Sequence, residues 1–91
     1  MIVTVRRRQF DTRAVRWTGT NEAEVRELCP GFHALDPEDR EDDTDATGEL
    51  REAPHWHRVL MYDGDWVVAV PGGGKRYADE ELVAEFEPVT P

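Results

Sequence analysis

The sequence predicts a small α+β domain: an antiparallel meander of four to five strands, one short helix, and a long acidic loop over residues 36–54. Three observations predict it. Apolar and polar residues nearly alternate over residues 2–17, a short amphipathic pattern follows Gly19, and short apolar runs alternate with glycine turns in the last third. With 91 residues and 38% hydrophobic content, residues 1–91 are expected to form one domain around one modest core.

Residues 2–17 have the pattern of β-structure. Val3, Val5 and Val15 are separated by Thr and Arg residues, which suits one long strand or two short ones. Arginine side chains can lay their apolar stems along a sheet and keep their charged ends in water. The arginines of this segment therefore need not form a binding patch.

A short helix is expected after Gly19. Asn21 can cap its first backbone N–H groups, and Glu24 can reach back toward Asn21. Val25, Leu28 and Cys29 then share one face, and residues 30–31, Pro-Gly, end the helix after about two turns.

The last third of the chain predicts tight turns and short strands. Asp63 and Gly64 separate two apolar runs, residues 55–62 and 66–70, as in a hairpin with a type I′ turn. Residues 71–74 make a second reversal, and residues 75–77 form another short strand. Asp79 can cap one helical turn, and residues 84–89 form a final strand with Phe86 inward and Pro88 at an edge. The predicted core residues are Trp17, Trp66, Tyr77 and Phe86.

The charge is strongly uneven along the chain. The net charge is −9, whereas residues 1–17 carry five Arg against Asp11, or +4. Residues 36–52 carry nine acidic residues against Arg40 and Arg51, or −7, and contain few large apolar residues. Such a segment cannot offset the entropy of ordering by burial, which predicts a long solvated loop. The negative balance also makes nucleic acid an unlikely partner.

Membrane insertion and export are not expected. The longest apolar stretch, residues 66–71, is far shorter than the roughly 20 residues of a spanning helix. The first residues lack the apolar core of about 7–15 residues that a signal peptide needs. We therefore expect a cytoplasmic protein. Because its core is small, homo-oligomerisation is an expected supplement to stability.

Two metal sites are conceivable from the sequence, each beside a simpler interpretation. Residues 43–50 resemble the start of a calcium loop, but position twelve is Pro54 in place of a bidentate Glu, which favours a solvated acidic loop. His55 and His57 would share one face of a strand and, with His33, could ligate zinc. Nothing in the spacing brings His33 near, so no metal or other cofactor is expected.

The remaining chemical motifs are incomplete. Residues 72–75, Gly-Gly-Gly-Lys, suggest a phosphate cradle, but Ala69 and Arg76 stand where a Walker loop has Gly and Ser or Thr. The favoured interpretation is a flexible hairpin tip. The chain has no serine, and Cys29 lies at the end of a helix, where the helix dipole does not activate a thiol. Cys29 is therefore expected to be a small buried hydrophobe, and no catalytic residue is predicted.

Several segments together resemble a known group of proteins. Residues 14–19 read Ala-Val-Arg-Trp-Thr-Gly, residues 64–68 read Gly-Asp-Trp-Val-Val, and residues 77–89 run from Tyr77 to a closing Phe-Glu-Pro-Val. The chain resembles a family of small uncharacterised phage and prophage proteins over about half its length. The acidic insert is outside the resemblance, and Asp63 stands where the family commonly has Pro. The resemblance implies a phage or prophage origin and action inside a bacterial host, and it brings no catalytic residues.

The acidic residues carry the predicted function. Closely spaced carboxylates on a small scaffold can occupy a basic groove on another protein, although such a run is often only a solvated loop. The sequence therefore predicts a non-enzymatic binding module that contacts a host or phage protein. The predicted contact residues are Glu38, Asp39, Glu41, Asp42, Asp43 and Asp45.

An alternative is a small-ligand-binding protein that sequesters a nucleotide-like anion, with the anion held between subunits. The cations that would lie near the anion are Arg6, Arg7, Arg8, Lys75 and Arg76. A co-purifying ligand that absorbs ultraviolet light would indicate this alternative, and salt-sensitive protein binding would indicate the first hypothesis.

Overall fold

The computed structural model describes residues 2–7, 10–39 and 45–88. The described residues contain eight strands and two α-helices, with a one-turn 3-10 helix at Pro37–Asp39. In chain order the elements are β1 (Ile2–Arg7), β2 (Phe10–Arg16), α1 (Glu22–Leu28), β3 (Phe32–Ala34), β4 (Gly48–Glu52), β5 (His57–Met61), β6 (Trp66–Val70), β7 (Gly73–Tyr77), α2 (Asp79–Glu85) and β8 (Glu87–Pro88). No helix in these ranges is long and apolar enough to cross a bilayer.

The strands form one mixed sheet. Its main path runs β3-β4-β7-β6-β2-β1-β8, and β5 pairs with β4 off this path. All pairings are antiparallel except β4 with β7, which meet in parallel where Glu52 lies opposite Gly74. The α+β class is therefore confirmed, but the purely antiparallel meander of four to five strands is wrong.

The sheet has an apolar core on each face, because side chains alternate along its central strands β2 and β6. Val15 and Val67 lie opposite each other and belong to the core beneath α1. Ala14 and Val68, the next pair, belong to the core on the other face, beneath α2. The sheet is thus the middle layer between two short helices.

The predicted aromatic core is largely confirmed. Trp17 is buried on the α1 face, with its ring centroid 4.7 Å from that of Phe32. Tyr77 and Phe86 are buried on the α2 face in an edge-to-face pair 5.2 Å apart. Trp66 is half-buried and packs against this second core.

The predicted acidic loop is wrong over residues 48–52, which form β4 inside the sheet. Leu50 is fully buried, while Glu49 and Arg51 point to the opposite side of the strand. The charged residues of β4 find partners on β5: Arg58 Nε donates to Glu49 Oε2, and His57 Nε2 lies 3.1 Å from Glu52 Oε1. Cross-strand pairing therefore lets a charged segment form a strand.

Asp63 and Gly64 form a turn, but the predicted hairpin is wrong. Strand β5 pairs with β4, whereas β6 pairs with β2 and β7, so the turn connects strands that are not neighbours. Asp65 N–H donates to Tyr62 C=O at 3.0 Å, and only Gly64, at φ +95°, has the positive φ. This is the pattern of a type II turn, because a type I′ turn requires positive φ at both central residues.

The strand predicted over residues 55–62 begins two residues later than expected. His55 and Trp56 lie in the β4–β5 turn, where Trp56 has φ 59° and a side chain that is 54% exposed. His55 and His57 therefore do not share the face of one strand, as the zinc interpretation required.

Helix α1 follows the predicted face, and Glu24 reaches back to Asn21 as predicted, accepting from Asn21 Nδ2 at 2.8 Å, but the predicted cap is absent. Val25 and Cys29 are buried and Leu28 packs against the same core. Asn21 makes no side-chain cap: its Oδ1 accepts from Thr18 N–H at 2.9 Å, and its Nδ2 donates to Arg16 C=O at 2.8 Å. Asn21 thus stabilises the loop before the helix.

The C-terminal elements also differ in detail. Asp79 is the first residue of α2, and its Oδ1 accepts from Trp66 Nε1 at 2.9 Å instead of capping the helix. Glu81 Oε1 supplies the cap by accepting from Ala78 N–H. Ala84 is helical, so the last strand starts at Glu87, and Pro88 lies on the edge strand as predicted.

Candidate functional site

The chain between β3 and β4 carries the densest charge of the protein. We call residues 36–45 the acidic segment; it holds seven acidic residues and Arg40, a net charge of −6 from seven minus one. Strands β3 and β4 are antiparallel neighbours, with Ala34 opposite Gly48. The acidic segment therefore leaves and re-enters the sheet at one place.

Both flanks of the acidic segment are fixed in the domain. Leu35 and Ala46 are buried, and Leu35 N–H donates to Thr47 C=O at 2.9 Å. Thr47 N–H donates to Met61 C=O at 2.9 Å, which joins the second flank to β5. The described ends of the segment are thus attached to a folded scaffold.

Thr47 is the residue through which the acidic segment meets the core. Its Oγ1 accepts from Trp17 Nε1 at 2.9 Å and donates to Asp63 Oδ1 at 2.6 Å. A buried indole N–H needs an acceptor, and the hydroxyl of Thr47 supplies it. No local sequence pattern indicates this role for Thr47 or Asp63, because the bonded partners are 30 and 16 residues apart along the chain.

Three of the six predicted contact residues lie in the described part of the chain. Glu38 and Asp39 are exposed in the 3-10 helix, where Asp39 N–H donates to Asp36 C=O at 2.9 Å. Asp45 is exposed at the other flank. Glu41, Asp42 and Asp43 lie outside the described residues.

The described cations of the anion hypothesis occupy separate places. Arg6 Nε donates to Asp11 Oδ1 at 2.9 Å, and Arg76 Nε donates to Asp65 Oδ2 at 2.7 Å. Lys75 is exposed on β7, and two strands, β6 and β2, separate it from Arg6 on β1. Arg8 and the side chain of Arg7 lie outside what the structure describes, so the convergence of all five stays a prediction.

Arg76 is held by the domain itself. Besides its ion pair with Asp65, its guanidinium lies 5.6 Å from the centroid of the Tyr62 ring. The hydrogen bond to Asp65 raises the pKa of Arg76. Its backbone N–H donates to Glu52 Oε2 at 2.9 Å. These contacts join β7 to β4 and to the β5–β6 turn.

The glycine run after Pro71 has a packing role in this fold. Gly74 is buried, and its C=O accepts from Ala53 N–H at 2.9 Å. A Cβ on Gly74 would lie 2.5 Å from Cys29 Sγ. Close approach of β7 to β4 and to the end of α1 therefore accounts for a glycine here, without a phosphate ligand.

Cys29 is buried, as predicted, at the end of α1, and burial raises the pKa of its thiol to about 11. We expect native protein to react with iodoacetamide at neutral pH at least about tenfold more slowly than urea-unfolded protein, because the reacting thiolate is scarce and shielded. Mass spectrometry of timed samples measures both rates. Equal rates in the native and unfolded protein would contradict this assignment.

A cavity of about 410 Å³ opens on the α2 face. Its walls are mostly apolar, and the polar side chains at its rim are already engaged: Asp11 accepts from Arg6, and Thr12 Oγ1 donates to Ala69 C=O. The other lining residues are Val68, Val70, Pro71, Tyr77 and Phe86. The cavity thus offers shape but no convergent set of polar groups among the described residues.

Within residues 2–7, 10–39 and 45–88, no group of three His, Cys, Asp or Glu residues is placed to hold a metal ion. The calcium-loop pattern, which the sequence did not favour, overlaps strand β4 from Gly48 onward. Comparison with known proteins finds no matching family, no matching curated protein and no matching solved structure.

Proposed function

We propose that this protein is a non-enzymatic binding module of phage type, which contacts a basic surface of a host or phage protein through the acidic segment. One observation supports the proposal: the described acidic residues of this segment are exposed, next to two flanking residues, Leu35 and Ala46, that are buried in the domain. The phage context rests on the sequence resemblance alone.

Charge and anchoring together favour binding over a purely solvated loop. A local charge of −6 attracts a basic partner over about 8–10 Å at physiological salt and speeds encounter. Because both flanks are fixed, the acidic segment has fewer conformations to lose when it binds a partner. The entropic cost of binding is therefore smaller. The contact area then comes from the loop, while the sheet supplies a rigid base.

Neutralising the acidic segment tests the proposal. The first variant replaces all six predicted contact acids by their amides: Glu38→Gln, Asp39→Asn, Glu41→Gln, Asp42→Asn, Asp43→Asn and Asp45→Asn. The immobilised wild type and variant are each incubated with bacterial lysate at low and at high salt. We expect quantitative mass spectrometry to show proteins retained by the wild type at low salt and reduced at least about tenfold both by the variant and by high salt.

A charge-matched pair of variants separates a local effect from a change in net charge. Glu38→Gln with Asp39→Asn removes two charges from the acidic segment, while Glu27→Gln with Glu80→Gln removes two exposed charges from α1 and α2. We expect the first pair to reduce retention and the second to leave it unchanged. Equal loss in both pairs, or full retention by the six-acid variant, would contradict the proposal.

A further inference from the structure

The cavity on the α2 face has the size and the lining of a small-molecule site. Its volume of about 410 Å³ lies within the roughly 300–1,000 Å³ of ligand pockets, which are mostly apolar with a few polar groups. Val68 and Val70 contribute aliphatic side chains to the lining, and Tyr77 and Phe86 contribute aromatic rings. A ligand that covers this apolar surface gains from removing it from water.

A free cation lies beside this cavity. Lys75 is directly opposite Val68 in the β6–β7 register and two residues before Tyr77, so its side chain is on the α2 face. The Cβ atoms of such a cross-strand pair are about 4.5–5.5 Å apart. Lys75 is exposed, and its ammonium forms no ion pair or hydrogen bond with a described residue. Its flexible stem can therefore bring the ammonium to a ligand that contacts Val68.

The polar groups in the cavity lining are already engaged. Asp11 Oδ1 accepts from Arg6 Nε at 2.9 Å, so a neighbouring cation offsets the charge of this carboxylate. Thr12 Oγ1 donates to Ala69 C=O. Because the charge of Asp11 is offset and that of Lys75 is not, the cavity favours an anionic ligand over a cationic one.

We propose that this cavity binds a small aromatic carboxylate, with its rings against the apolar lining and its carboxylate at Lys75. The aromatic pair Tyr77 and Phe86 favours a ring, because aromatic groups pack well edge to face or offset-stacked. One ammonium balances one negative charge. A nucleotide phosphate would instead bring a charge of roughly −2, together with a polar sugar that this lining does not hydrogen-bond.

Titration of ¹⁵N-labelled protein with 2-naphthoate tests the site by nuclear magnetic resonance. We expect the amide signals of the lining residues, 68–70 of β6 above all, to shift saturably with a dissociation constant of about 0.1–1 mM. The matched neutral probe is 2-naphthamide, which has the same rings and nearly the same shape but no charge. We expect it to shift the same signals and to bind about three- to fivefold more weakly, as the loss of an exposed ion pair implies.

Two single-charge variants separate the ion pair from an effect of net charge. Lys75→Met should weaken the binding of naphthoate about three- to fivefold and leave the binding of naphthamide unchanged. The matched control is Arg26→Met, because Arg26 is exposed on α1, on the opposite face of the sheet. We expect this control to change the affinity for neither probe.

A third variant tests the cavity itself. Val70→Trp puts a larger side chain into the lining, and we expect it to reduce the binding of both probes because it occupies their space. Its ¹⁵N spectrum shows whether the variant is folded.

Several results would overturn the proposal. Naphthoate could cause no saturable shift up to about 10 mM, or its shifts could map away from the lining residues. Equal affinity for naphthoate and naphthamide would show that the site does not recognise the carboxylate. Equal effects of Lys75→Met and Arg26→Met would show that the ligand responds only to net charge. These comparisons decide the matter even if Val70→Trp does not fold.

Discussion

Replacing Gly74 by alanine is expected to destabilise the fold by about 3 kcal/mol or more, at the upper end of overpacking effects. The new Cβ would lie 2.5 Å from Cys29 Sγ and 2.9 Å from Val67 Cγ1, and both neighbours are buried. Relief would need α1 or β6 to move, and either movement would disturb the α1-side core. Urea unfolding followed by tryptophan fluorescence measures the loss.

Gly31→Ala is the matched control for this substitution. Its Cβ would lie 3.2 Å from Cζ3 of the half-exposed Trp56 and 3.3 Å from the backbone oxygen of Arg51. Both distances are longer than those at Gly74, so we expect a smaller loss of about 1 kcal/mol. Adding Cys29→Ala to Gly74→Ala removes the closest contact and should recover part of the stability. If the Gly74 variant were as stable as the Gly31 variant, the close packing of β7 against α1 would be refuted.

Local patterns were sufficient for much of the fold. The alternation over residues 2–17 predicted two strands as one of its alternatives, and β1 and β2 form that hairpin. The spacing of Val25, Leu28 and Cys29 predicted the buried face of α1. In each case the segment carries its own apolar periodicity, so neighbours in sequence determine the structure.

Strand β4 could not be predicted in this way, because Leu50 is its only large apolar residue. Its position depends on partners that are distant in sequence: Leu50 lies opposite Phe32 on one side and Val59 on the other. The weak alternation of Gly48, Leu50 and Glu52 with Glu49 and Arg51 was the available signal. The high net charge of the segment favoured a loop and outweighed this weak alternation.

The turn at Asp63 and Gly64 shows a second limit of prediction from local sequence. The dipeptide predicted a reversal, and a turn is present, but turn chemistry does not determine which strands pair. Similarly, composition predicted an exposed acidic segment, and its described residues 36–39 and 45 are exposed, whereas the contacts of Thr47 with Trp17 and Asp63 required the fold.

Asp65 joins more segments than any local pattern suggested, and its replacement is the second change with a large expected effect. The residue is buried, and its Oδ2 accepts from Tyr62 N–H at 3.0 Å and from Arg76 Nε at 2.7 Å. Its C=O accepts from Trp17 N–H at 2.8 Å. The carboxylate thus joins the β5–β6 turn to β7, while its backbone joins this turn to the end of β2.

Asp65→Ala is expected to destabilise the protein by about 2–4 kcal/mol, because it leaves the partly buried Tyr62 N–H and the partly buried Arg76 guanidinium without their acceptor. The loss is measured as the free energy of unfolding in urea. Adding Arg76→Met removes the stranded charge, so the double variant should be less destabilised than the sum of the two single variants. The difference between the double variant and the sum of the single variants measures the ion pair itself, apart from any loss of packing.

The exposed pair Arg6–Asp11 provides the control, since it has the same Nε-to-Oδ geometry at 2.9 Å but side chains that are 50% and 46% exposed. In the Arg76–Asp65 pair the corresponding exposures are 28% and 10%. Solvent screens the exposed pair, and we expect Asp11→Ala to cost under about 1 kcal/mol. Suppose instead that Asp65→Ala lowered the free energy of unfolding no more than Asp11→Ala. Burial would then not strengthen the interactions of the Asp65 carboxylate, and only backbone contacts would link the β5–β6 turn to β7.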